Sequence, residues 1–106
     1  MARIFENDAI GARVVFPDVI DGNAYVRYFE TWRAGAGEDA TIARSTIAHA
    51  VAVVELAVVA TWQHGEDVVD LKVKADVRDG TPARLLHWLA AVGARLMTEE
   101  TNIPEV

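Results

Sequence analysis

The chain has 106 residues, 52% of them hydrophobic and 25% charged, with no cysteine. That length suits one domain, since a chain of this size buries roughly two-thirds of its unfolded surface in a single core. The missing cysteines exclude disulfides, thiolate nucleophiles and cysteine-ligated zinc, and sixteen acidic against ten basic residues (net −6) oppose phosphate binding.

The first residues meet Glu6 and Asp8 at once. They lack the apolar core of a secretory signal, so a cytoplasmic setting is expected. Arg13-Val14-Val15-Phe16, closed by Pro17-Asp18, predicts a strand over 12–16. Asn23 is a candidate cap for a helix over 24–34, ended by Gly35 and Gly37. Tyr25, Tyr28, Phe29 and Trp32 share one face of that helix. They are the candidate protein-interface residues, and spacing leaves open whether that face is core or contact surface.

Asp39 or Thr41 can cap a second helix, expected over 41–63. Ile42, Ile47, Val51, Val54, Val58 and Trp62 follow helical spacing, and no breaker intervenes before Gly65. Its apolar part, 47–62, is too short for a membrane span and carries Glu55 near its middle, so no membrane partner is expected. Val69, Leu71, Val73, Ala75 and Val77 then alternate with Asp70, Lys72, Lys74 and Asp76. That period predicts a strand over 68–77, paired with 12–16.

Thr81 as cap and Pro82 at the first helical position open a third helix over 82–98. Leu85, Leu86, Trp88, Leu89, Val92, Leu96 and Met97 form its apolar stripe, with Trp88 expected to anchor the core. Residues 99–106 form an acidic tip expected to fray. The fold class expected is therefore a mainly helical α+β domain over 1–106, with three helices and a small two-stranded β element.

Catalytic chemistry finds little support. No two of His49, His64 and His87 lie at ligand spacing on one element, and Glu55 stands six residues from His49. Ser45 is the single serine and no Gly-x-Ser-x-Gly occurs. Gly35-Ala36-Gly37 lacks the Gly-Lys-Ser/Thr end of a phosphate loop. No catalytic residue, metal or cofactor is expected, nor a nucleic-acid partner for Arg27 and Arg33 in so acidic a chain. The apolar surplus points instead to burial against a protein client or another copy. The alternative is a small-molecule pocket, possibly enzymatic, built from His49, Glu55 and Trp62.

Several segments also recur in a recognisable order. They are Val15-Phe16-Pro17-Asp18, Tyr28-Phe29-Glu30, Val54-Glu55 with Trp62, Pro82-Ala83 leading into Leu86-His87-Trp88-Leu89, and the end Glu99-Glu100-Thr101-Asn102-Ile103-Pro104. Over residues 13–104 this order resembles the small acidic tail assembly chaperones of tailed bacteriophages and prophages. The resemblance implies a non-enzymatic protein of the bacterial host cytoplasm. Such a protein binds the long tape-measure protein and keeps it soluble until the tail tube forms around it.

Overall fold

The computed structural model describes residues 3–39 and 41–102. In chain order these form β1 (Arg3–Asn7), β2 (Ala12–Phe16), α1 (Gly22–Ala36), α2 (Ile42–Leu56), β3 (Val59–His64), β4 (Asp67–Asp70), a 3-10 turn (Leu71–Val73) and α3 (Ala83–Thr101). The strands make one antiparallel sheet in the order β1-β2-β3-β4. Val14 sits between Phe5 and Ala60, and Ala12 between Asn7 and Trp62. Ala12, Val14, Phe16, Ala60 and Trp62 are buried in the core that the helices complete, while Arg13 between them is exposed.

The sheet corrects the expected two-stranded element, because two strands arise where none was predicted. The expected helix over 41–63 ends at Leu56. Ala57 leaves the helix in an extended conformation, and the Val58 N–H donates to the Val15 carbonyl at 2.7 Å. From there the β-branched pair Val58-Val59 joins the sheet, and pairing with β2 outweighs the helix preference of the alanines before it. The Lys72 ammonium donates to the carbonyls of Val54 (2.9 Å) and Glu55 (3.2 Å). It satisfies acceptors that a longer helix would have used itself.

Gly65 and Glu66 then turn β3 into β4. Gly65 has φ +65° and no other residue type in the described chain has positive φ, as a two-residue turn with glycine at its first central position requires. The expected strand over 68–77 stops at Asp70, whose carboxylate accepts the Lys72 N–H at 2.9 Å. That contact closes the 3-10 turn, sending Leu71 into the core and leaving Val73 79% exposed. The partner of β4 is β3 rather than residues 12–16. At the other end, the Asn7 carbonyl accepts the Gly11 N–H at 2.8 Å, closing the hairpin that creates β1.

Helix ends differ in detail from the sequence expectation. Asp21, not Asn23, caps α1, accepting the Ala24 N–H at 2.8 Å. Thr41 caps α2 through the Arg44 N–H at 3.1 Å. Pro82 occupies the cap position of α3, and the Thr81 hydroxyl is buried with no partner among the described residues. Leu85, Leu89 and Leu96 of α3 are fully buried, whereas Trp88 is only half-buried and packs at the margin. The last helix is therefore anchored by its leucines and not by Trp88. α3 runs on through Glu99 to Thr101, with Glu100 ion-paired to Arg3. The remainder of the expected fraying tip, residues 103–106, lies outside the described residues.

Candidate functional site

At about 100° per residue, Tyr28 and Phe29 mark the two ends of the aromatic arc on α1, with Tyr25 and Trp32 between them. The structure divides that arc. Tyr28 turns inward and is 2% exposed; Phe29 turns outward and is 37% exposed; Tyr25 and Trp32 are half-buried. The four residues are neither wholly core nor wholly surface.

The rings form a continuous ladder. Tyr25 meets Phe29 edge-on at 4.9 Å, and Phe29 lies near-parallel to Trp32 at 6.0 Å. Trp32 stacks on His49 of α2 with centroids 3.7 Å apart and planes within 8°. The Trp32 indole N–H is shared between the Ser45 carbonyl (3.0 Å) and hydroxyl (3.2 Å), which fixes the ring one turn below His49. An indole N–H that packs against a neighbouring helix usually finds such a partner. The Tyr28 hydroxyl hydrogen-bonds His49 Nε2, so the ladder ends on a buried polar pair.

Gly93 of α3 makes room for that pair. A Cβ placed there would lie 2.5 Å from the Tyr28 hydroxyl, 2.5 Å from Val53 Cγ2 and 2.7 Å from His49 Nε2. No periodicity marks Gly93 in the sequence. A glycine inside an otherwise apolar helical stripe was the one available sign.

On the outer side of the ladder, Tyr25, Val26, Phe29 and Trp32 line a surface groove of about 580 Å³, with Glu30 and Arg33 at its rim. Val26, not among the candidate residues read from sequence, is 53% exposed and extends the apolar strip. This is the outward half of the expected aromatic face. A groove with aromatic walls and a sparse charged rim suits an amphipathic helix laid along it.

Burial lowers the His49 pKa from 6.5 to about 4 and pushes the Tyr28 phenol above its ordinary value. Both groups are therefore neutral at pH 7, which lets them share a hydrogen bond without a buried charge. The unfolded chain takes up a proton at His49 that the folded chain refuses. The stabilisation is complete above about pH 6.5 and lost as pH falls towards 4, each unit of pKa difference being worth about 1.4 kcal/mol. Denaturant unfolding is expected to show stability falling across that window. In His49→Gln the fall should be shallower, and equal slopes in the two proteins would exclude His49 as its source.

The alternative pocket residues are not brought together. His49 is enclosed by Tyr28 and Trp32, while the exposed Glu55 accepts a hydrogen bond from the Thr31 hydroxyl at 3.2 Å. Trp62 stacks on His64 at 5.0 Å from within β3. His87 is exposed on α3. Among the described residues, no cluster of three or more histidines and carboxylates could hold a metal ion, and no helix is long and apolar enough to cross a membrane. No family model, curated protein or solved structure matches the chain.

Proposed function

We propose that this protein is a non-enzymatic binding module that receives an amphipathic helix of a protein client in the α1 groove. The observation that carries the reading is the divided aromatic arc: Tyr28 is spent on the core, while Phe29 and Val26 remain at the surface beside Tyr25 and Trp32. In its most concrete form the client is a tape-measure-like protein of a phage tail, as the sequence resemblance implies. A long helical client offers repeated apolar stripes, and an acidic binder of net −6 keeps the complex soluble.

Phe29→Asp tests the reading. The side chain is partly exposed and its removal leaves Tyr28, Trp32 and His49 in place, so folding stability is expected to change by only about 1 kcal/mol. Binding to helical tape-measure segments, followed by calorimetry, should fall by roughly 2 kcal/mol or more if Phe29 is a central contact. Wild-type protein that fails to bind such segments, or a folded variant that binds them as well as wild type, would defeat the proposal.

A further inference from the structure

A second contact surface, sharing no lining residue with the α1 groove, lies on the free edge of the sheet. The Asn7 carbonyl faces β2, where it accepts the Gly11 N–H. The Val15 carbonyl faces β3, where it accepts the Val58 N–H, so Val14 and Phe16 face β1. Both observations set the same alternation. Arg3, Phe5 and Asn7 bond inward to β2, and the backbone N–H and carbonyl groups of Ile4 and Glu6 point outward. Among the described residues no strand pairs with that edge. Ile4 is 50% exposed there, and β1 and α3 enclose a groove of about 520 Å³ between Ile4, Glu6, Trp88 and Arg95.

We propose that this edge takes β1 of a second copy of the chain, joining two four-stranded sheets into one of eight strands. Antiparallel pairing centred on Phe5 sets Ile4 opposite the partner's Glu6 and Glu6 opposite the partner's Ile4. Those are the residues whose backbone groups point outward, so the pairing forms four hydrogen bonds. Phe5 meets the partner's Phe5 on the helix side of the sheet, and Arg3 meets the partner's Asn7. No like charges face each other. The charges around this edge also come close to balance, Arg3 and Arg95 against Glu6, Glu99 and the Glu100 that pairs with Arg3, on a molecule that is otherwise acidic.

The other free edge is unsuited to the same use. β4 is four residues long and is flanked or ended by Glu66, Asp67 and Asp70, so a second copy would bring carboxylates together. Short, charged edges of this kind are how sheets avoid pairing.

Proline separates the β1 edge from every other surface. Ile4→Pro removes an outward N–H that the monomer fold does not use, a position where edge strands accept proline. Each dimer then loses two backbone hydrogen bonds, and the dissociation constant is expected to rise roughly 10- to 100-fold. Sedimentation of the full chain from micromolar to millimolar concentration reads that change, with circular dichroism confirming the fold. Phe29→Asp should dimerise like wild type, which keeps this edge distinct from the α1 groove. Hydrogen exchange on the wild type gives an independent measure, because the Ile4 and Glu6 amides should become protected as concentration rises. The proposal is overturned by a wild type that stays monomeric, by a folded Ile4→Pro that dimerises unchanged, or by edge amides whose exchange ignores concentration.

Discussion

Tyr28→Asp is expected to abolish folding, although Phe29→Asp, one residue further on, leaves the fold intact. Tyr28 is 2% exposed and its ring packs against Phe29, Trp32 and His49. Losing a buried aromatic ring costs about 3–5 kcal/mol by itself. The aspartate would add an uncompensated carboxylate in the same space, worth several kcal/mol more unless it is protonated. His49 does not offer a ready counter-charge, because burial already holds its pKa near 4. Together these terms are comparable to the roughly 5–15 kcal/mol that holds a small domain folded. Far-UV circular dichroism and a thermal melt decide the matter. A cooperative transition near the wild-type temperature would mean that Tyr28 reaches solvent, and the whole aromatic arc would then be surface.

That contrast also marks how far the sequence could be read. Spacing put Tyr25, Tyr28, Phe29 and Trp32 on one helical face, but a 3.6-residue period cannot say where on a broad arc the core ends. The division is made by α2 and α3, through Ser45, His49 and Gly93, and none of these is tied to α1 by local pattern. The sheet is hidden in the sequence for a related reason. Alanines and β-branched valines between 43 and 60 satisfy helix and strand periods alike, and the chain changes from one to the other at Ala57 only because β2 is there to receive Val58.

One signal was present and carried more than a helix stop. Gly65-Glu66, set between Thr61-Trp62 and Val68-Val69, has the glycine-first form of a tight hairpin. Taken as a turn, it would have placed strands on both sides and shortened the helix before them. The alternation over 68–77 misled in the opposite direction. Its period of two continues past Asp70, but the Asp70 and Asp76 carboxylates each accept a backbone N–H two residues on, bending the chain out of the sheet. β1, with only Arg3–Asn7 and no clean alternation of apolar and polar residues, had too little pattern to read.

Gly93→Val is expected to destabilise the protein by about 3–4 kcal/mol, against the sign that helix propensity gives. In an exposed mid-helix position, replacing glycine removes backbone freedom from the unfolded chain and stabilises by up to about 1 kcal/mol when the new residue is alanine. Gly93 is buried, and even a single added carbon would lie 2.5–2.7 Å from three atoms on two neighbouring helices. Overpacking of that kind costs about 1–3 kcal/mol for small insertions and more when the neighbours cannot move. Here they are constrained: His49 is held by the Trp32 stack and the Tyr28 hydroxyl, and Val53 is fully buried. Valine adds two further methyl groups to the same contact. A graded series gives the sharper test, with Gly93→Ala expected to be destabilising and Gly93→Val more so. Pairing Gly93→Ala with Tyr28→Phe removes one of the three clashing atoms, so the double variant should lose less than the sum of the single losses. Chemical denaturation of the wild type and the four variants measures these losses. If Gly93→Ala were stabilising, α3 could not lie against the Tyr28–His49 pair, and the inward half of the aromatic arc would need another wall.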